Sequence, residues 1–432
     1  MHIFKKNYYL GLSLIVNSLI LIFFVVFVLQ YLPGHENMDY IKHYNPIALN
    51  ILNGLSYDYY NLSACDGCVS MENISAKRPP IFPIFIALTY YISDLINLNQ
   101  LDVLIYSQYL MHLVSSTFIF LIYRRWFKSN LIPFLASLIY SSYPLGLYLL
   151  KQPNSEIIFN FLLVSFILVF TLIIKDKKYL RGYCLLFSGL LLGLLVLTRF
   201  LSIALPIFIC IYLLIFFREN ILINISKVLL GFLLVFAPWQ LYSNSLIITN
   251  SELDLLEKPR EFSTTVLVYG LIWESMPERL QSKAAPYMSN NLKLLMNNIS
   301  KKYFQEGQLR TKSETFSYLI NEGVKSPLTI IELSFWKLSR AIYGTDTKRH
   351  EFKVLILNSL YLFLLFLLYL RRKNYFPGEI DKRFPILFLF ILFYFILFSA
   401  LSIPLVRYST PGFLISIPLI ALLFKRSKKL NT

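Results

Sequence analysis

The fold is set by residues 31–83, which read YLPGHENMDYIKHYNPIALNILNGLSYDYYNLSACDGCVSMENISAKRPPIFP. This stretch directly follows the first long apolar run, residues 8–32, and ends where the chain becomes apolar again. It contains Asp39, an amphipathic stretch at 47–55 and a pair of cysteines. We interpret it as an exported loop above a membrane-embedded chain, and we expect it to carry the chemistry.

The composition indicates a polytopic integral membrane protein. The chain has 432 residues, of which 56% are hydrophobic and 15% charged, whereas soluble domains carry about 25% charged residues. The net charge of +17 fits attraction to anionic lipid on the inner membrane surface. Nucleic-acid binding is excluded, because the basic residues form short clusters between apolar runs. The run 8–32 is too long for a signal-peptide core and predicts a retained first span.

About 20 apolar residues cross a membrane, and the sequence predicts about ten to twelve helical spans. Residues 80–97 and 328–343 are ambiguous, since both mix apolar and polar residues. If both lie at the outer surface, every basic cluster falls inside, as the positive-inside trend requires. If 80–97 crosses instead, the clusters between Arg124 and Lys227 move outside. The runs free of Lys, Arg, Asp and Glu are 8–32, 103–123, 131–150, 157–174, 182–198, 200–217, 228–248, 354–370, 384–406 and 408–424.

Three regions follow from this pattern. Residues 1–248 form an N-terminal transmembrane module that includes the outer loop 31–83. Residues 249–350 form a small helical segment on the outer face with an interfacial helix, because structureless loops of this length are rare. Residues 351–432 form the C-terminal transmembrane helices.

Two features of the first loop suggest a site for an anionic substrate. Asp39 lies seven residues beyond the first span and can accept a proton from a hydroxyl group; the alternative is an ordinary solvated aspartate. Lys77 and Arg78 precede two prolines at the membrane boundary, where paired cations suit a lipid-linked phosphate. Their alternative role is to extend toward the headgroups.

Three further charged residues lie at predicted outer helix ends. Arg199 and Arg407 interrupt apolar sequence, where a charge is costly and is a candidate functional group; otherwise each reaches toward headgroups. Glu156 lies at the start of a predicted helix, with Asn154 or Ser155 as N-cap. Its negative charge either stabilises the N-terminus of that helix or adds a second acidic group to the site.

Cys65 and Cys68 are candidates for a short-range disulfide in an oxidising compartment. A zinc site needs two more ligands of suitable spacing, and Cys184 and Cys210 lie in apolar runs. No metal ligands are therefore assigned, although a requirement for a divalent metal stays open.

An ordered series of motifs resembles the GT-C fold glycosyltransferases, which use polyprenyl-phosphate sugars. The branch most similar contains the protein O-mannosyltransferases and the lipid A aminoarabinose transferases. The series lacks a paired Asp-Glu directly after the first span, and a phenylalanine stands where many relatives have proline after Arg199. The matching positions are Asp39-Tyr40, Ala48-Leu49, Asn53-Gly54, Arg78-Pro79-Pro80, Pro83, Ser155-Glu156, Gly193, Thr198-Arg199-Phe200, Ala237-Pro238-Trp239, Arg407-Tyr408 and Pro411.

The resemblance implies an inverting glycosyltransferase at the outer face of a bacterial inner membrane. Asp39 is then the general base. The acceptor is a hydroxyl of a lipid, glycan or protein. Rival interpretations are an O-antigen polymerase or ligase, which depends on arginines of the large outer segment, and a lipid or solute transporter. The implied substrate-binding residues are Tyr40, Lys77, Arg78, Glu156, Arg199, Arg407 and Tyr408.

Overall fold

The structure is a computed structural model that describes residues 2–28, 39–55, 57, 78–176, 183–251, 267–273, 285–345, 349–372, 376 and 379–424. Within these ranges every regular element is helical and no strand occurs. The predicted all-α class is therefore confirmed.

Among the described residues up to 251, the first part of the chain contains ten α-helices. A π-helical turn, Phe24–Val28, continues α1, and another, Tyr40–Tyr44, leads into α2. The helices are α1 (His2–Phe23), α2 (Asn45–Leu52), α3 (Ile81–Ile96), α4 (Gln100–Trp126), α5 (Leu131–Ser141), α6 (Pro144–Tyr148), α7 (Ser155–Lys175), α8 (Cys184–Thr198), α9 (Leu205–Phe216) and α10 (Ile221–Ser251).

The second part contains six described α-helices and ends in a 3₁₀-helix, Ile417–Phe424. The predicted helical patches of the polar segment correspond to α11 and α12, and the ambiguous stretch 328–343 corresponds to α13. These helices are α11 (Asn290–Phe304), α12 (Lys312–Lys325), α13 (Pro327–Tyr343), α14 (Glu351–Leu370), α15 (Glu379–Leu401) and α16 (Val406–Ser416).

Seven helices among the described residues are long and apolar enough to span a membrane, and eight if the bent pair Leu131–Ser141 and Pro144–Lys151 counts as one span. Three shorter apolar helices accompany them: Ile81–Ile96, Cys184–Thr198 and Phe200–Phe216. The predicted polytopic architecture is confirmed, and the predicted total of ten to twelve spans is reached only with the shorter helices. The seven are Tyr8–Val28, Gln100–Trp126, Ser155–Lys175, Ile221–Ser243, Glu351–Leu370, Lys382–Leu401 and Val406–Phe424.

The chain divides into two compact units. The first unit comprises Met1–Leu253, Leu370–Phe388 and Leu414–Thr432, and the second comprises Asp254–Tyr369 and Leu389–Phe413. The first boundary lies close to the predicted end of the N-terminal module, whereas the C-terminal helices contribute to both units. The functional division into three regions stays a prediction.

Helices α4 and α7 of the first unit run in the same direction. Near their starts, the backbone N–H of Asn154 donates to the Gln108 side chain at 2.8 Å. At their ends, Lys175 donates to the Arg125 carbonyl. We call the end where α7 begins the site end, and the end with Arg125 and Lys175 the basic end.

Helix α1 is attached to its neighbours by polar side chains. Ser13 and Asn17 are its buried residues among the described side chains, whereas Leu14, Ile15, Leu19 and Ile22 are exposed. Ser13 hydrogen-bonds to Ser137 at 2.7 Å, and Asn17 donates to Ser116 at 3.2 Å and accepts from Ser141 at 2.7 Å. Such bonds fix the position of one membrane helix against another.

Helices α8 and α10 pack closely because glycines lie at their interface. A side chain at Gly189 or at Gly231 would collide with the backbone of the other helix. Gly193 lies one turn after Gly189, so the two form a small-residue stripe of the kind that brings membrane helices together. The ion pair of Arg199 with Glu156 places the end of α8 at the site end.

Helix α3 also lies at the site end. Its Phe82 and Tyr90 share one buried cluster with Leu104, near the start of α4, and with Ile158, near the start of α7. The chain thus enters α3 and α4 at the same end of the unit. Whether residues 80–97 cross the membrane, and which way the protein is oriented, stay predictions.

The second unit has a separate hydrophobic core and a buried ion pair. Trp273, Leu292, Met296 and Leu333 belong to that core. Arg340 on α13 pairs with Glu351 on α14 at 3.2 Å, and both side chains are only 2% exposed. Helix α13 therefore buries a charged face, which explains why its sequence looked ambiguous.

Candidate functional site

The segment after Asp39 forms a short helix held against α3. The π-helical turn Tyr40–Tyr44 continues into α2, and Gly54, at φ +67°, ends that helix. The Leu55 N–H donates to the Asn50 carbonyl at 2.9 Å, a helix ending that favours glycine. The predicted helix end at Asn53-Gly54 is confirmed.

Asp39 and Arg78 meet although 39 positions separate them in the sequence. The Arg78 guanidinium lies 3.4 Å from a carboxylate oxygen of Asp39, with side-chain exposures of 16% and 46%. Arg78 also lies over the Tyr44 ring, 5.5 Å from its centre. The Asp39 carboxylate is therefore accessible to solvent while its arginine partner is largely covered.

Glu156 and Arg199 form a second, more buried ion pair. Glu156 begins α7 and Arg199 follows the end of α8, so two antiparallel helices bring the charges together. Their side chains are 8% and 14% exposed. Asn154 occupies the predicted N-cap position, but its side chain donates to the Leu149 carbonyl instead of capping α7.

Tyr44 lies within the electrostatic reach of both pairs. Burial raises the pKa of Tyr44, Arg78 and Arg199 act to lower it, and Asp39 and Glu156 act to raise it. The phenol therefore stays protonated at neutral pH, between two arginines and two carboxylates. Four of the predicted site residues are thereby gathered around one tyrosine that the sequence did not single out.

Tyr40, whose role in substrate binding stays a prediction, is part of a buried hydrogen-bond chain. Its hydroxyl bonds to that of Tyr90 on α3, and Tyr90 donates to Asn45 at 2.8 Å. Burial raises the pKa of Tyr40. This chain fixes the helix after Asp39 on α3, so Tyr40 supports the site from beneath.

His43 and Tyr57 complete the surroundings of Arg78. Burial first, and then the Arg78 charge, lower the pKa of His43 to about 4, so this imidazole is neutral at neutral pH. Tyr57 donates to the Arg78 carbonyl at 2.9 Å and packs edge-on against Trp239 of α10, with ring centres 5.0 Å apart. Arg78 is thus fixed through its backbone as well as its side chain.

Arg407 and Tyr408 lie in the second unit, where Arg407 donates to the Tyr408 hydroxyl at 3.0 Å. Their participation in the site stays a prediction. Lys77, the second predicted cation of the first loop, lies outside the described residues. Cys65 and Cys68 do so too, and with them the predicted disulfide.

Within the described ranges, no three His, Cys, Asp or Glu side chains cluster in a way that could hold a metal ion. Glu36, Asp58 and Asp66 of the first loop are not among those residues. A requirement for a divalent metal accordingly stays open.

Sequence reasoning missed Tyr44, Tyr90 and the pairing of Glu156 with Arg199. One signal for the pair was present: an acidic residue opens one apolar helix and a basic residue closes the next. Two such helices run antiparallel when the connection is short, so their opposite charges reach the same end.

One comparison with known proteins gives a match. A sequence model of the family described as dolichyl-phosphate-mannose-protein mannosyltransferase matches residues 77–242. This range contains Arg78, Glu156 and Arg199 but not Asp39 or Arg407. No curated protein and no solved structure matches the chain.

The match covers less than half of the chain, and it is the part that contains both arginines near Tyr44. It supports the GT-C glycosyltransferase superfamily, without distinguishing its branches. Together with the apolar helices, it supports an integral membrane protein with glycosyltransferase character.

Proposed function

We propose that the protein transfers a sugar from a polyprenyl-phosphate donor to a hydroxyl acceptor on the outer face of the membrane. The supporting observation is the set of two ion pairs around Tyr44, one with an accessible carboxylate and one buried. Glycosyl transfer from a lipid phosphate needs a base for the acceptor and cations for the leaving group, and this set supplies both.

Asp39 is the proposed general base. As the acceptor oxygen attacks the anomeric carbon, its proton passes to the Asp39 carboxylate, and the bond between that carbon and the phosphate oxygen breaks. The electron pair of that bond leaves with the lipid phosphate. Attack opposite the leaving group inverts the configuration of the sugar.

Arg78 and Arg199 are the proposed phosphate ligands. Charge accumulates on the lipid phosphate as the bond breaks, and positioned cations stabilise that charge more than water does. Lys77 and Arg407 are additional proposed ligands from the resemblance.

Glu156 is better assigned as a positioning residue than as a substrate ligand. It is only 8% exposed and is paired with Arg199, so an anionic donor gains nothing from approaching it. Its role in this proposal is to fix the Arg199 guanidinium and to offset the cost of burying that charge.

The test uses purified Asp39→Asn protein with polyprenyl-phosphate sugars of several kinds. We expect transfer to fall by about 10²- to 10⁴-fold, the usual contribution of a general base, while donor binding persists. The matched control is Asp102→Asn, since Asp102 is an exposed aspartate in the first turn of α4. Undiminished transfer by Asp39→Asn removes Asp39 from the mechanism.

The rival assignment to an O-antigen polymerase or ligase gives a different result in the same assay. It predicts that activity depends on arginines of the outer segment. Arg310 is one of the described arginines there, and it donates to the Gly307 carbonyl at 2.6 Å. We expect Arg310→Gln to retain transfer. Loss of activity in that variant, with Asp39→Asn active, favours the rival.

A further inference from the structure

A pocket rich in basic residues opens at the basic end of the first unit. Its volume is about 570 Å³, within the range of pockets that hold small ligands. Its lining consists of Arg124, Arg125, Trp126, Phe127, Lys128 and Lys175.

This pocket is remote from the site around Tyr44. Glu156 and Lys175 lie near opposite ends of α7, and 19 residues at about 1.5 Å each separate them by roughly 30 Å. That distance is about the thickness of the hydrocarbon core of a membrane. The pocket therefore belongs to the opposite membrane surface and cannot hold the same phosphate as Arg78.

Two of the four basic side chains of the pocket donate hydrogen bonds to main-chain carbonyls, and two do not. Arg124 donates to the Lys128 carbonyl at 3.0 Å, and Lys175 donates to the Arg125 carbonyl. These bonds satisfy carbonyls at the helix ends. The exposed side chains of Arg125 and Lys128 make no hydrogen bond or ion pair with the described part of the chain, so their charges are available to a ligand.

The floor and rim of the pocket are aromatic. Lys175 lies over the Trp126 ring, 6.0 Å from its centre. Trp126 packs on Phe384 with ring centres 4.8 Å apart, and Phe127 packs on Phe376 at 6.3 Å. Tryptophan and tyrosine mark the level of lipid headgroups, and the indole here places the cations at that level.

An exposed apolar side chain follows the pocket residues in the chain. Leu131, three residues after Lys128, begins α5 and is 49% exposed. A lipid with its phosphate at the cations can place an acyl chain against such a side chain, whereas a free anion gains nothing from it.

We propose that this pocket is a specific binding site for the phosphate headgroup of an anionic phospholipid. Arg125 and Lys128 bind the phosphate oxygens, and Trp126 packs against the glycerol region. This differs from the diffuse attraction between basic residues and an anionic membrane, because it requires particular side chains and is saturable. Basic pockets between helices on the inner side are suited to such headgroups.

The experiment counts lipids bound to the whole protein in detergent by native mass spectrometry. The protein is titrated with phosphatidylglycerol, with phosphatidylcholine and with inorganic phosphate. We expect the unmodified protein to retain phosphatidylglycerol selectively. The variant Arg125→Gln/Lys128→Gln should bind it about tenfold or more weakly, since each basic side chain near an anionic headgroup contributes about fivefold.

The matched control is Arg218→Gln/Lys227→Gln, which removes the same charge between the end of α9 and the second turn of α10. Neither residue lines the pocket. We expect binding within about twofold of the unmodified protein. Both variants replace cations with neutral polar groups, and their thermal unfolding serves to verify folding. If the two variants lose the same amount of phosphatidylglycerol affinity, the binding is only a diffuse attraction to positive charge. If inorganic phosphate binds as tightly as the lipid, the pocket is a site for free anions. Either result overturns the proposal.

Discussion

Two ion pairs lie around Tyr44, and they differ in how far water reaches their carboxylates. Asp39 is 46% exposed and its oxygen is 3.4 Å from Arg78, whereas Glu156 is 8% exposed in its pair with Arg199. An accessible carboxylate can exchange protons with an acceptor, and a buried one in a tight pair cannot without uncovering a charge. In the proposed mechanism these two carboxylates therefore have different roles, Asp39 in chemistry and Glu156 in positioning.

The pair Arg340–Glu351 in the second unit extends this comparison. Both side chains are 2% exposed, and Arg340 also lies over the Trp273 ring at 5.8 Å. This pair has the geometry of a structural element. We expect the effects of substitution to shift from rate to stability as the carboxylates become more buried.

The largest effect on stability is expected for Glu351→Gln. Removing this carboxylate leaves the Arg340 charge buried without compensation, which costs about 3–5 kcal/mol. Thermal or denaturant unfolding in detergent measures it. The control is Glu322→Gln, which breaks the exposed pair with Lys325 (3.0 Å) and should change stability by less than about 1 kcal/mol. Equal effects in the two variants would contradict the role of burial.

Glu156→Gln is expected to affect both substrate binding and stability. The stability cost should be smaller than the cost for Glu351→Gln, because Arg199 is 14% exposed and Arg340 is 2% exposed. The kcat/KM for the donor should fall about tenfold, since a misplaced guanidinium weakens one charged contact to the phosphate of about 1.5 kcal/mol. A double variant with Arg199→Gln should then lose little more than either single variant. An unchanged kcat/KM for the donor would remove the positioning role.

A smaller effect is expected where α1 attaches to its neighbours. Asn17→Ala removes the bonds to Ser116 and Ser141 and should cost about 1 kcal/mol, the usual scale for polar contacts between membrane helices. Ser18→Ala, on the next and partly exposed position, is the control and should be near neutral. If the unfolding curves of the two variants coincide, the polar contacts of α1 contribute nothing to the free energy of unfolding.

A further prediction concerns pH. The folded protein lowers the pKa of His43 to about 4 from its ordinary value of 6.5, so the fold favours the neutral imidazole. Its contribution to stability is complete above pH 6.5 and is lost as the pH falls from 6.5 to 4. The melting temperature of the unmodified protein should therefore fall more steeply over this range than that of His43→Gln. Parallel curves would mean that His43 is not held neutral.

The sequence was sufficient for the helical membrane class and for the meeting of Asp39 with Arg78. Apolar runs of span length predict helices directly, and the order of motifs placed both residues at one membrane boundary. It was not sufficient for Tyr44 or Tyr90, since tyrosines are common throughout this chain, and only packing of the helix after Asp39 on α3 distinguishes them. The buried face of α13 was also hidden, because Lys337 and Arg340 look like surface residues until the helices around them are known.

The central claim is that Asp39 acts in the chemical step and not in binding. A single-turnover experiment separates the two: donor is first bound to Asp39→Asn protein, acceptor is then added, and the transfer rate is measured from rapidly quenched samples. The account predicts donor affinity within about twofold of the unmodified protein and a transfer step at least about 100-fold slower. A transfer step at the unmodified rate, or a defect confined to donor affinity, would contradict it.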